Sequence, residues 1–509
     1  MTTVPDDRTV TSADGHPASQ YVAAALWDMP RAVNRAPLPA NGDFMLSEWG
    51  AAAPVLASDN PVVAYTAGRR ALLAQAFPAE LLVIPCGEPH VRSNDNYYPF
   101  RPGTDHVWLT GNTGASSVLL VDTTGGEAGS VLYLHAPSGR INDEFWQSDA
   151  QGDLWVGPRP SLRETQDALG IECRPLTELP GDFARAADRA RTIRVLPTLD
   201  RAVDALVQTV CGPGLAPHLA LKAVLDELRL IKNDWELGQM QLAVNGTVLG
   251  FEDCLRDWER ARAVPRGERY LEGTFARRAR LEGEGPAYGS IVGGGSHATT
   301  LHWTSNTGGL NEGELVLMDM GLELSTLYSA DVTRTIPVSG RFTSLQRDVY
   351  LIVLKAQQAG IDTLRAGTRF QDYQDACARV LSEGLIDLGV LTCSLDEAMD
   401  PSAQYQRRWS ISRSGHMLGM DLHDCNHAPQ GSYLTGTLSA GNVLTVEPGL
   451  YFQPNDLRVP DELRGIGIRI EDDLAVTETS SINLSAALPR DPDAIEAWMN
   501  ELADAARSH

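Results

Sequence analysis

No stretch of this chain approaches the ~18 consecutive apolar residues that a membrane-spanning helix needs. Cations are in short supply: 42 Lys and Arg stand against 66 Asp and Glu, a formal net charge of −24. That balance argues against nucleic acid and anionic membranes as partners, and reads as a solubility device. Cysteine is sparse as well. The seven cysteines are scattered and odd in number, with no C-x-x-C pair. A disulfide framework and a thiolate zinc site are both excluded by that pattern, and a reducing cytoplasm is expected. The N-terminus, MTTVPDDRTVTSADGHPASQ, lacks the basic-then-apolar run of a secretory leader. No G-x-S-x-G elbow occurs, so nothing marks a serine nucleophile. The glycine-rich Ile291–Ser296 run lacks the Lys-Ser or Lys-Thr that a phosphate loop requires, and reads as close backbone packing.

What is present is enough chain for two or three domains, at 509 residues with 43% hydrophobic composition. Residues 1–60 are rich in Pro, Ala, Asp and Asn and read as an irregular extension, with one short helix near Tyr21–Leu26. From 61 to about 215 a helix-like run (GRRALLAQAF) precedes strand-like LLVIPCG, VWLTGN, SSVLLVD and SVLYLHA, then helices at Asp182–Ala190 and His218–Lys232. This predicts an α/β first domain. Gly and Pro cluster at Cys211–Pro217 and mark a boundary. From about 228 to 509, helices to Leu281 give way to strand runs (YGSIVGGG, LVLMDMGLEL, LYSADVTRTIPVSG). A second helical block at Leu345–Leu388 gives way to LGMDLHD, VLTVEPGLYF and GIGIRIEDDLAVTE. Helices followed by strands, twice, is an α+β order that suggests two similar halves. A final amphipathic helix, Asp491–Ala506, is expected on the outside.

Four carboxylates and one imidazole stand out in that second domain: Asp319, Asp331, His416, Glu447 and Glu471. All lie in or beside segments that read as buried strands, where an ionised carboxylate is costly unless paired. The turn-like Gly321–Ser325 stretch would fold Asp319 and Asp331 into one hairpin, and Glu447 and Glu471 form a second pair of the same kind. An oxygen-rich set with one nitrogen suits two divalent cations, Mn²⁺-like rather than thiolate-bound zinc, and a binuclear site points to hydrolysis. Asp472 and Asp473 beside Glu471 read as surface or capping carboxylates. His90, His106, His135 and His427 read as structural, and His297 as a loop residue.

The segments VLTVEPGLYF, GIGIRIEDDLAVTET, LVLMDMG, DVTRTIPVSG and HMLGMDLHD together resemble the peptidase family of aminopeptidase P and prolidase, whose catalytic domain has the pita-bread fold. YTAGRRALLAQAF and RSNDNYYPFRPGTDHVWLTG are similar to the aminopeptidase P N-terminal domain, and the resemblance runs from about residue 60 to 500. It implies an α/β N-terminal domain joined to an α+β pita-bread catalytic domain. It also implies that Asp319 chelates one ion, that Asp331 and Glu471 bridge two, and that His416 and Glu447 complete the ligand set of the other ion. Mn²⁺ is the expected ion, with Zn²⁺ and Co²⁺ compatible. His302 and His423 match family histidines beside the scissile bond, Arg469 an arginine near the metals, and Tyr451 a pocket residue. The family segment H-G-x-x-H reads Ser412-Arg413-Ser414-Gly415-His416 here, so Ser412 stands where a substrate-binding histidine is usual. An insert around Asp396–Tyr405 is a second departure.

The implied activity is an Xaa-Pro aminopeptidase, in which a hydroxide shared by two ions attacks the first peptide bond and Glu447 carries the proton. An Xaa-Pro dipeptidase shares every ligand, and a non-catalytic peptide binder is the alternative from another class. The resemblance further implies a peptide partner with proline second and a homo-oligomer, dimer or tetramer.

Overall fold

The computed structural model describes residues 42–50, 61–94, 96–125, 128–196, 199–212 and 218–507. The helix expected near Tyr21–Leu26 and most of the extension over 1–60 lie outside the described residues. Compact units divide between Lys222 and Ala223.

The first unit is built on a five-stranded mixed sheet. Its strands are β1 (Glu80–Pro85), β2 (Val118–Asp122), β3 (Gly129–Leu134), β4 (Glu172–Pro175) and β5 (Thr192–Val195), in the order β4-β3-β2-β1-β5. β1 is buried along its whole length, which fits its apolar Leu81–Pro85 run between two neighbouring strands. Helices α1 (Val63–Ala76), α2 (Thr104–Thr110), α3 (Leu162–Leu169), α4 (Leu179–Ala187) and α5 (Arg201–Cys211) surround it. VWLTGN is not a strand: Val107–Thr110 are the last turns of α2, which ends at Gly111 with φ 75°. A run this short cannot distinguish strand from buried helix by periodicity, and the left-handed glycine cap supplies the missing signal.

Helix α6 (His218–Arg229) spans the division, and in the second unit α7 (Asp234–Arg256) and α8 (Gly267–Glu282) precede β6 (Ile291–Gly294), β7 (Leu315–Met320) and β8 (Val332–Pro337). Then α9 (Ser344–Thr363) and α10 (Phe370–Asp387) precede β9 (Val443–Val446), β10 (Gly449–Tyr451), β11 (Gly467–Arg469) and β12 (Asp472–Val476). The order of helices then strands, twice over, is as expected. The start of α7 is set by Asn233, whose side chain caps Glu236 N while Glu236 returns a bond to the Asn233 backbone. Thr343 and Gln346 do the same for α9. β9 pairs with β12 and β10 with β11, both antiparallel. Phe370, Tyr373, Cys377, Met417, Leu444, Val446 and Leu474 form a core between α10 and this second strand set. The final helix, α11 (Pro492–Arg507), buries Ile495, Met499 and Leu502 and lies against α7.

LGMDLHD is not a strand either. The residue before it, Met417, makes an isolated bridge to Leu444, and the segment itself turns through bends to Cys425, whose φ is 59°.

His106 is structural, as expected. It is 1% exposed, and its Nδ1 donates to the Ile84 carbonyl at 3.0 Å while Nε2 meets Ser117 Oγ at 3.1 Å. Burial pushes its pKa down from 6.5 to about 4, against the pull of that carbonyl. The folded state therefore holds the neutral ring, and its contribution is complete above pH 6.5 and lost as pH falls toward 4. We predict a loss of about 3 kcal/mol over that window from this group. Thermal unfolding across pH 4–7 should show that slope, and H106N should flatten it; parallel profiles would refute the assignment.

Candidate metal centre

Asp319 enters the site from β7 and Asp331 from the residue before β8. These strands pair antiparallel with Asp319 opposite Thr333, and Asp331 shares a face with Thr333 two residues on. Between them Gly321 allows a close crossing: a Cβ there would lie 1.7 Å from the Ala330 carbonyl oxygen. Glu447 follows β9 and Glu471 precedes β12, so the two face each other where one antiparallel pair gives way to the next. The segment 414–417 runs beside β9, with Thr445 N donating to the His416 carbonyl and Glu447 N to that of Ser414. That contact fixes the backbone of His416.

Asp331, His416 and Glu471 place one ligand atom each within 4.8 Å of one another. His416 Nε2 lies 3.3 Å from Asp331 Oδ2 and 3.5 Å from Glu447 Oε1. Asp319 is joined to them through Tyr288, whose hydroxyl contacts Asp319 and lies 2.6 Å from Asp331 Oδ1. The other oxygen of Asp319 accepts from Arg469 Nη2. Asp319, Asp331, Arg469 and Glu471 are all buried.

The donor set fits a cation. His416 Nδ1 faces the Met417 carbonyl at 3.0 Å, an oxygen that can only accept, so Nδ1 carries the hydrogen. Nε2 is left facing two carboxylate oxygens, an arrangement that needs a proton or a metal between them. Burial alone would lower the His416 pKa, but Asp331 and Glu447 override it and lift it to about 9. Burial raises Glu447 to about 7 against the pull of His416 and Arg469. Burial, then Asp331, Glu447 and Asp319, push Glu471 well above its ordinary range. Asp319 is raised by burial, with Arg469 opposing. Glu471 Oε2 accepts from Thr333 Oγ1 at 2.7 Å, whereas Oε1 is buried with no hydrogen-bond partner. An orphaned buried carboxylate oxygen in a set of like charges is a ligand atom in search of a cation.

His423, Tyr451 and Arg469 adjoin this centre. The His423 ring meets His416 edge to face at 4.3 Å, and burial, then His416, hold its pKa down, with His302 adding a smaller push. Tyr451 is buried with its hydroxyl 2.9 Å from Arg469 Nη1. His302 and Ser412 are exposed, Ser412 on the strand of chain that leads to His416. His297 does hold a loop: its Nδ1 lies 2.7 Å from buried Glu268, and its ring stacks on Trp303 at 3.9 Å. The Asp396–Tyr405 insert overlaps a short helix, Leu395–Met399, and ends where a 3₁₀ turn opens at Tyr405.

Asp472 and Asp473 are not surface groups. Both are fully buried. Asp472 accepts from Arg334 Nη2 and from Ser485 Oγ, each at 2.7 Å, and Asp473 Oδ2 accepts from the Asp331 backbone at 3.1 Å. Arg334 places all five N–H groups, on Asp472 and on the carbonyls of Thr333, Glu471, Leu488 and Pro489. Sequence reasoning also missed Tyr288 and Thr333. Thr333 carries a legible signal, since Asp331, Thr333 and Thr335 alternate along one face of a strand.

Residues 239–478 match metallopeptidase family M24, and residues 65–195 match the aminopeptidase P N-terminal domain. The chain is 46% identical over 439 residues to Xaa-Pro aminopeptidase 1 of Streptomyces coelicolor, covering 86% of this chain and 87% of the relative. It is 32% identical over 451 residues to the Xaa-Pro aminopeptidase of Escherichia coli, covering 85% and 96%. Among solved structures it is similar to E. coli aminopeptidase P with the inhibitor Pro-Leu. The TM-score there is 0.75 at 30% identity, covering 88% of this chain and 99% of that one. The zinc-substituted E. coli enzyme in complex with product gives a TM-score of 0.76 at 29% identity, covering 86% and 98%.

Mutual repulsion in this cluster predicts a reversal. After dialysis against a chelator, E471Q should melt above the wild type by about 2–4 °C, the equivalent of roughly 1 kcal/mol of relieved repulsion. With excess Mn²⁺ the wild type should gain stability by ligand linkage and overtake it. The same order in both conditions would contradict the cluster's role.

Proposed function

This chain belongs to the aminopeptidase P family of M24 metallopeptidases, and we propose that it releases the first residue from peptides with proline in second position. One observation carries the reading: ligand atoms of Asp331, His416 and Glu471 converge within 4.8 Å, with buried Asp319 and half-buried Glu447 beside them. Asp319, Asp331, His416, Glu447 and Glu471 would hold two divalent ions, which supply an acidified water and a polarised carbonyl. Mn²⁺ is our choice of ion on the oxygen-rich donor set, with Zn²⁺ and Co²⁺ as substitutes.

The chain's own groups then divide the work. Glu447 takes the proton of the attacking water and returns it to the leaving prolyl nitrogen. The bond broken is a tertiary amide with no N–H of its own, so that nitrogen must receive a proton to leave. His423, held neutral, donates a hydrogen bond to the developing oxyanion. His302 contacts the substrate near the bond, and Tyr451 and Ser412 line its path. Arg469 holds Asp319 and Tyr451 in place.

We assign 61–215 to the N-terminal domain and 228–509 to the catalytic domain, preceded by an extension over 1–60. The family matches at 65–195 and 239–478 support this division. A dimer or tetramer in the cytoplasm completes the proposal. The seven unpaired cysteines favour a reducing compartment. No described helix is long and apolar enough to cross a membrane.

E447Q should lower kcat by roughly 10²–10⁴-fold in steady-state assays, the usual range for removing a general acid–base; near wild-type turnover would remove Glu447 from that role. With Mn²⁺, Xaa-Pro-Xaa peptides should be cleaved faster than Xaa-Pro dipeptides. Turnover of dipeptides alone would establish a dipeptidase instead.

A further inference from the structure

Helix α6 and the turn after it carry two cations almost without solvent contact: Arg229 is 3% exposed and Lys232 4%. Arg229 Nη2 donates to Asp424 Oδ1 at 2.7 Å and to Asp421 Oδ2 at 3.0 Å, and lies 3.3 Å from Asp226 Oδ1. Lys232 Nζ donates to the other oxygen of Asp424 at 3.1 Å. Asp226 in turn accepts from the His427 backbone at 2.9 Å. Burial works against the Asp424 charge, yet Arg229 and Lys232 hold its pKa far below the ordinary carboxylate range. Gly419 makes room for this: a Cβ there would lie 2.2 Å from Asp424 Oδ2.

His423 sits between Asp421 and Asp424, in neither helix nor strand. Backbone bonds in this turn run from Gly419 N to the Asp421 carbonyl and from Asp424 N to that of Met417. Its charged side chains add a second hold. Buried ion pairs are weak contributors to stability, because desolvation offsets most of their attraction. What this set does supply is geometry, gripping the chain two residues before His423 and one after it. An oxyanion donor misplaced by an ångström loses much of its effect.

We propose that Arg229 and Lys232 are positioning residues for His423: by clamping Asp421 and Asp424 they set where its imidazole meets the reacting carbonyl. This rests on the oxyanion role given to His423 above. The test is a double-mutant cycle on the full chain, loaded with Mn²⁺ and assayed with an Xaa-Pro-Xaa peptide. Arg229→Met should lower kcat roughly 10- to 100-fold, with KM within about 3-fold of wild type and bound metal unchanged by elemental analysis. In an H423A background the same substitution should lower kcat less than about 3-fold. Should R229M fail to fold, D421N carries the cycle, since it leaves the Arg229–Asp424 pair in place; a loss of roughly 3- to 10-fold is expected, again suppressed by H423A. Equal losses in both backgrounds, or loss of bound metal, would overturn the positioning role alone. Wild-type kcat in H423A would remove the oxyanion role of His423 and this inference with it.

Discussion

Carboxylates buried side by side repel one another, and the second unit is organised around that repulsion. Asp319, Asp331, Glu447, Glu471 and Asp473 are brought near one another with little water to screen them. Burial and mutual repulsion raise Glu471 and Glu447 together. A fold meets such a cost only where something of opposite charge belongs in the middle. Arg469 answers part of it through Asp319, and His416 another part between Asp331 and Glu447. The orphaned Glu471 Oε1 is the part the protein itself leaves unanswered, and two divalent cations are the natural complement.

Outside the cluster, charge is used differently. Arg334 is fully enclosed and saturated by four carbonyls and Asp472, so it contributes position rather than reactivity. It ties β8 to the chain around Glu471 and so holds Asp331 and Glu471 at a fixed separation. Arg229 and Lys232 act the same way on the turn bearing His423. In both cases a cation bound by several rigid acceptors locks a chain segment that carries a functional group. Asp331, Glu447 and Glu471 stand at strand ends, and buried Arg334 ties the first of these ends to the last.

How far this was legible from the residues follows from the range of each interaction. The five residues proposed as ligands could be singled out because the four carboxylates lie in apolar, strand-like contexts where a charge is out of place, and because all five contexts together match one family. The repeated helix-then-strand order was legible for the same reason, through local periodicity. Asp472 and Asp473 were misread as surface groups, because adjacent acids in a chain ordinarily signal exposure and their partners are remote. Arg334 is 138 residues from Asp472. Tyr288 lies 43 residues from Asp331, in a segment whose glycines drew attention instead. VWLTGN and LGMDLHD failed as strands because short apolar runs do not carry a period. A left-handed glycine ends the first, and a buried aspartate pulls the second into a turn.

Anomalous diffraction from crystals grown with Mn²⁺ tests the central claim most directly. Two peaks are predicted, about 4 Å apart, each within bonding distance of Asp331 and Glu471, with His416 Nε2 on one of them. A single peak, or peaks remote from those carboxylates, would contradict the account.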